Sequence, residues 1–297
     1  MHSETSTRAE AALYVVATPI GNLRDLTLRA LDVLRTVDLV AAEDTRLTRH
    51  LLSHFTVDTP TTALHEHNEE RAAERIIDML RQGKSVALVS DAGTPAISDP
   101  GARLVQRVRE AGLRVIPIPG PSALIAALSV SGVSDEHFLF YGFLPARSAA
   151  RLRELERVCE VPWALVFYEA PHRVRETMAD FEQAFGAERH VIIARELTKM
   201  FETIHACRLG DACAWFDVDP NRLKGEFVLI VQGAAANGDA DAEDAERVLK
   251  LLLAQLPLKQ AVQLAADITG AKKNALYQRA SNSGKNENGS SDDNATG

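Results

Sequence analysis

The sequence predicts an α/β fold: two α/β domains followed by a small C-terminal helical module. Three observations carry this reading. In the first part of the chain, short β-branched apolar runs alternate with helix-period segments. After Phe138 the rhythm of the strands changes, the pattern of a second α/β domain with a mixed sheet. Beyond an acidic stretch near residue 240, only helical periodicity remains. A chain of 297 residues suits about two domains, and at 46% hydrophobic and 25% charged residues it can build a core, which excludes a fully disordered protein.

Residues 13–18 (LYVVAT) read as the first strand, closed by Pro19-Ile20-Gly21-Asn22, and a helix with Leu28, Leu31, Val33 and Leu34 follows. Residues 38–43 form a strand, 45–54 a helix, 61–67 a strand and 69–81 a helix. Residues 85–91 (SVALVSD) are a buried strand that runs into the Gly/Pro-rich loop 92–101; a helix over 102–111 and a strand over 114–118 complete the first domain. This order predicts a mostly parallel sheet covered on both faces. In the second domain, 138–144, 163–169, 190–197, 203–209 and 226–232 are strands, with helices over 151–158 and 172–185. The expected plan is a disordered tail 1–12, a first domain 13–132, a second 133–233, an acidic linker 234–246, a helix-turn-helix-like module 247–280 and a disordered tail 281–297.

Composition excludes several classes. Cys159, Cys207 and Cys213 form no CxxC pair, against a disulfide framework or a cysteine zinc site and in favour of a reducing cytoplasm. The first ten residues lack an apolar core for a signal peptide, and no apolar run reaches the roughly 18 residues of a membrane span. The net charge of −8 argues against indiscriminate coating of nucleic acid. Its distribution matters more: residues 248–280 carry five basic and one acidic side chain, whereas 233–247 carry one basic and five acidic.

Familiar phosphate and nucleophile motifs fail. Gly83-Lys84-Ser85 would need a glycine where Asp78 stands, Gly120-Pro121-Ser122 a closing glycine at Leu124, and no GxGxxG follows the first strand. His65 and His67 alternate onto one strand face, but no third metal ligand follows at a diagnostic spacing, so no metal is expected. The informative signal is three Gly/Pro-rich loops at strand C-termini, 18–22, 90–101 and 117–123, where open α/β sheets bind ligands.

Eight segments then become recognisable: 13–24 (LYVVATPIGNLR), 41–46 (AAEDTR), 89–101 (VSDAGTPAISDPG), 117–123 (PIPGPSA), 141–146 (YGFLPA), 167–173 (FYEAPHR), 194–199 (ARELTK) and 225–231 (GEFVLIV). Together they resemble the ribosomal RNA small subunit methyltransferase I family, of the tetrapyrrole-methylase-like (class III) superfamily of S-adenosylmethionine enzymes. The resemblance spans about 13–280. It implies two α/β domains with the cofactor in the cleft between them, a homodimer, and methyl transfer to the ribose 2′-oxygen of cytidine 1402 in 16S rRNA of the small ribosomal subunit. It further implies that Pro19, Gly21, Asp91, Thr94, Ile97, Ser122, Ala123, Tyr168, Ala194 and Glu226 hold the cofactor. Residues 90–93 read Ser-Asp-Ala-Gly where the superfamily has Gly-Asp-Pro.

A ribose hydroxyl is a weak nucleophile and gains from a general base. Glu43, Asp44, Glu169, His172, Glu196 and Lys199 are candidates, with Glu169 and His172 preferred because they follow a central strand of the second domain. Arg46, Arg49, Arg147, Arg173, Lys199, Lys272 and Lys273 are candidates for RNA contact, along with Arg151 and Arg153, whose neighbours Glu154 and Glu156 equally suit a solvated helix face. Two other functions fit the same fold: a methyltransferase acting on a tetrapyrrole precursor, and a non-catalytic RNA-binding assembly factor.

Overall fold

A computed structural model describes residues 9–65, 68–134, 136–235 and 238–286. Residues up to Gly233 form one compact unit and those from Ala234 a second. The first unit opens with β1 (Leu13–Val16), α1 (Leu28–Thr36), β2 (Leu39–Ala42), α2 (Thr45–His54), β3 (Thr61–Ala63), α3 (Glu69–Arg81), β4 (Val86–Val89), α4 (Ala102–Glu110), β5 (Val115–Ile118) and α5 (Ala123–Ser131). All strand pairs in this sheet are parallel, in the order β3-β2-β4-β1-β5. Alternate residues feed opposite faces: Tyr14, Val16, Val40 and Ala87 pack with Ala30 and Leu34 of α1, while Leu13, Leu39, Val86 and Leu88 pack with α3 and α4. Burial on both faces is why these strands read as unbroken apolar runs. The chain leaving β1 crosses to β2 on one face and the chain leaving β4 crosses to β5 on the other, so their connections part at neighbouring strand ends, the place where such sheets open a crevice.

The second half of this unit contains β6 (Phe138–Phe143), α6 (Ser148–Glu156), β7 (Ala164–Glu169), α7 (Val174–Phe185), β8 (His190–Arg195), β9 (Thr203–Arg208), α8 (Leu209–Val218) and β10 (Phe227–Val231). The order is β6-β7-β10-β8-β9; only β6 and β7 run parallel, so the sheet is mixed as expected. One face packs on α6, α7 and α8 through Phe167, Ile193, Leu229 and Phe181. The other, with Val166, Ile192, Val228 and Ile230, packs on Ala127 of α5 and on Ile20 from the loop after β1. Helix α5 is apolar all round (ALIAALSVS) and lies where the first half meets the second sheet.

The second unit is α9 (Gly238–Leu253), α10 (Leu258–Thr269) and α11 (Lys273–Asn286), closed around Ala245, Leu249, Val262, Ala265 and Leu276. Gly270 ends α10 in the left-handed conformation at φ 73°, which glycine adopts without steric cost.

Four expectations change. Ala12 is fully buried and Ala9 packs against the same cluster, so the ordered body starts ahead of residue 13; residues 1–8 lie outside the described residues. The third strand stops at Ala63, because Asn68 turns the chain there, accepting the His65 backbone N–H and donating to Ala63 O; Glu66 and His67 lie outside the described residues. The stretch read as a linker is helical from Gly238, in keeping with the helix propensity of its alanines. Helix α11 continues to Asn286, into the segment read as a tail, of which 287–297 lie outside the described residues.

Candidate active site

A cavity of about 400 Å³ opens where the strand ends of the first sheet face the second sheet. The loops after β1 and β4 are tied by a reciprocal pair of backbone hydrogen bonds between Thr18 and Gly93 (2.8 and 3.0 Å), and the Thr18 hydroxyl donates to Ser90 O. The Thr94 hydroxyl donates to Pro121 O (3.2 Å), which joins the third loop to these two. The Leu124 backbone N–H at the start of α5 donates to the Tyr168 hydroxyl (3.2 Å), which fixes the first half against β7. Non-glycine residues in the left-handed region, Ala96 and Ser98 on one side and Glu196 and Thr198 on the other, sit in the two loops that flank the cavity. Strain of this kind concentrates at binding sites.

Of the residues assigned by resemblance to the cofactor, Thr94, Ile97, Ser122, Ala123, Tyr168 and Glu226 line this cavity. Four do not. Pro19 is buried. Gly21 is a contact glycine: a Cβ there would lie 2.4 Å from Lys199 Cγ and 3.1 Å from Leu197 O. Asp91 turns away to accept the Asp44 backbone N–H (2.9 Å), and Ala194 is buried within the sheet, paired with Val228. Asp99, Phe143, Leu197 and Val228 line the cavity but escaped the sequence reading. All four lie in or beside the recognised motif segments, so the sequence signal marks the loop without identifying the inward-facing member.

The preferred base Glu169 is fully engaged. Its carboxylate accepts from Ala170 N (2.7 Å), the Thr177 hydroxyl (2.6 Å) and Arg173 Nη2 (3.1 Å), with Arg173 Nε a further 3.0 Å ion-pair contact. Although it borders the cavity, that makes it a brace between β7 and α7. Glu196 accepts from Lys199 Nζ (2.8 Å) and the Glu226 backbone N–H (3.0 Å). Burial opposes its charge, but these partners outweigh it and hold its carboxyl low. Burial likewise opposes the charge of Lys199, and its bonds to Glu196 and Glu226 raise its pKa on balance, which removes it as a base. Asp44 is lowered to about 2 by the Arg46 side chain, which donates through both Nε and Nη2. His172 is exposed and makes no side-chain hydrogen bond among the described residues. Glu43 is raised by burial and then by Asp91 and Asp99.

The RNA candidates divide in the same way. Arg151 is completely buried, ion-paired with Asp180, and is therefore not an RNA contact. Arg173 is held by Glu169 and Leu144 O, and Lys199 by its two carboxylates, so neither is free to reach RNA. Arg46 is exposed but clamps Asp44, and Arg49 donates to the Thr61 hydroxyl. Arg147 and Arg153 are exposed in the first unit; Lys272 and Lys273 are exposed at the start of α11 in the second.

Glu43 and Asp99 have a measurable consequence. Burial is the main reason both carboxyls have raised pKa values, with Asp91 adding to each. A carboxyl whose folded pKa exceeds its unfolded value costs stability as pH rises through the folded pKa. Asp99→Asn and Glu43→Gln are therefore expected to raise the melting temperature at pH 7 by about 1–2 °C each, with the gain shrinking toward pH 4. Melting curves at the two pH values check this.

Known proteins share this fold. The family described as Tetrapyrrole (Corrin/Porphyrin) Methylases matches residues 12–213, and the RsmI C-terminal HTH domain matches 239–282. A solved uroporphyrin-III C-methyl transferase from Thermus thermophilus, complexed with S-adenyl homocysteine, shares the fold at TM-score 0.54 and 18% identity, over 74% of this chain and 97% of its own. The ribosomal RNA small subunit methyltransferase I of Pseudomonas aeruginosa is 53% identical over 90% of this chain and 96% of its own length. That of Escherichia coli O157:H7 is 50% identical over 93% and 97%. With such identity over nine-tenths of the chain, and both family models matched, the chain belongs to the ribosomal RNA small subunit methyltransferase I family.

Proposed function

We propose that this protein methylates the ribose 2′-oxygen of cytidine 1402 in 16S rRNA, with S-adenosyl-L-methionine as donor. The observation that carries the reading is identity of 50% or more, over nine-tenths of the chain, to proteins named for methylation of small-subunit ribosomal RNA. The cavity fits the donor: Ile20, Ile97, Leu197 and Val228 offer apolar wall for an adenine ring, and Asp99 and Glu226 offer acceptors for hydroxyl and ammonium groups. When bound, the donor supplies a methyl group on sulfonium sulfur, already activated for displacement.

The protein's share is then to position and desolvate the two reactants. Tyr168 and α5 keep the two halves of the cavity in register, and Glu169 braces the β7 end beside it. His172, next to the cavity residue Pro171, is the group we assign to the hydroxyl proton. Of the candidate cations, Arg147, Arg153, Lys272 and Lys273 remain exposed to meet RNA phosphates. Exposed Ile125 and Val130 on the apolar helix α5 favour a homodimer, and ribosomal substrate favours the cytoplasm. No helix among the described residues is long and apolar enough to cross a membrane. The tetrapyrrole and assembly-factor alternatives rest on fold, shared with the solved tetrapyrrole methylase at 18% identity.

Incubation with labelled donor and small ribosomal subunits, followed by mapping of the modified nucleotide, tests the reading. Label at the 2′-oxygen of cytidine 1402 is expected; label elsewhere or none overturns it. A Lys272→Ala, Lys273→Ala double variant is expected to bind rRNA more weakly and to reduce the slope of log affinity against log salt by about 1–2. An unchanged slope removes the pair from the interface.

A further inference from the structure

Strand β6 contains an irregularity in its pairing with β7. Phe138, Leu139 and Phe140 pair in step with Ala164, Leu165 and Val166 of β7, but Tyr141 is skipped and Gly142 pairs with Phe167, Phe143 with Tyr168. Leu139 and Tyr141 pack on the helix-covered face with Phe167, and Phe140 on the opposite face with Val166. Unbroken alternation would send Phe143 to the same face as Tyr141. The bulge turns it over to the face of its partner Tyr168, where its ring lies edge-on to Tyr168 at 5.6 Å and lines the cavity. Gly142 makes this feasible at φ 81°, and a Cβ there would lie 3.2 Å from Ser98 Oγ of the facing loop. Bulges beside active sites re-aim side chains.

The re-aimed ring is 55% exposed and packs into neither core cluster of the second sheet. Phe140 and Tyr168 already supply the aromatic packing deeper in, edge to face at 5.0 Å. A phenylalanine delivered by a backbone irregularity to a cavity, and left with much of its surface open, has the chemistry of a platform for a flat heteroaromatic ring. We propose that Phe143 stacks on the nucleobase of the nucleotide whose ribose is methylated. The inference rests on the rRNA reading above. A base lifted from its helix loses its stacking neighbours, and an aromatic at the mouth of the site replaces one of them.

The donor also carries a flat base, so the test separates the two. Phe143→Leu keeps apolar bulk and removes the π face; Phe143→Tyr restores it. Steady-state methylation with small subunits varied is measured beside calorimetric titration with S-adenosylhomocysteine and thermal melting. For Phe143→Leu, the KM for subunits is expected to rise about tenfold, with kcat, cofactor affinity and melting temperature unchanged, and Phe143→Tyr to return KM to the wild-type value. An unchanged KM in Phe143→Leu overturns the platform, as does a loss confined to cofactor affinity, which would assign the ring to the donor's adenine. A fall in melting temperature that accounts for the lost activity in both variants would make Phe143 a packing residue. A wild-type control that leaves rRNA unmethylated removes the rRNA reading and the platform with it, whereas normal wild-type activity with indifferent variants removes the platform alone.

Discussion

Arg151→Ala is expected to cost about 3–5 kcal/mol of folding stability, read as a shift of the urea midpoint, and to leave the salt dependence of RNA binding unchanged. The guanidinium is wholly buried between α6 and α7, with Nε on Asp180, whose other oxygen accepts from the Ser148 hydroxyl (2.9 Å). Truncation leaves the Asp180 carboxylate buried without its charged partner, where water does not replace it. Arg153, two residues on and exposed, provides the control: Arg153→Ala is expected to change stability by no more than about 0.5 kcal/mol. Pairing Arg151→Met with Asp180→Leu should recover much of the loss, because removing both charges also removes the desolvation penalty. Unchanged stability of Arg151→Ala with a shallower salt slope would return this arginine to the RNA interface.

The same pair of arginines shows where the sequence was legible and where it was not. Strands buried on both faces announce themselves: β4 and β10 are apolar and buried at every position, and both were placed within two residues. The loops that shape the cavity were equally visible, since glycine and proline mark close backbone approach wherever the chain bends. Arg151 departs from expectation because an arginine suggests surface. Yet it stands four residues before Leu155 and seven before Val158, on the helix face that enters the core. The place of Glu169 at a strand end suggests a base, while its contacts are set by Arg173 and Thr177, four and eight residues on, which come back to it only once α7 folds. The insertion of β10 between β7 and β8 is a long-range pairing that no local pattern encodes. The bulge in β6 did leave a trace, a glycine within an aromatic strand, which often marks a bulge.

Gly225→Ala is expected to weaken cofactor affinity by at least about tenfold, a loss of about 1.4 kcal/mol in binding, while the protein still folds. Gly225 sits at φ 95°, and a Cβ there would lie 2.4 Å from Glu196 Cγ and 2.5 Å from its Cδ and Oε1. A carboxylate at the end of a free side chain would move aside. This one is pinned by Lys199 Nζ at 2.8 Å and the Glu226 backbone N–H at 3.0 Å, on a residue already held at φ 53°. Lys199 is in turn pressed by Gly21, so the contact runs from the β1 loop through Lys199 and Glu196 to Gly225, and the stretch it holds presents Leu197, Glu226 and Phe227 to the cavity. Shifting Glu196 therefore moves one wall of the binding site. Gly112→Ala isolates the backbone contribution: φ is 72° there and nothing lies within 4 Å of the added Cβ. It should lose about 1–2 kcal/mol of stability from the left-handed conformation alone, with S-adenosylhomocysteine affinity intact. If titration finds the same affinity for both variants, the contact through Glu196 does not shape the cavity, and the two strained loops must hold it without that wall.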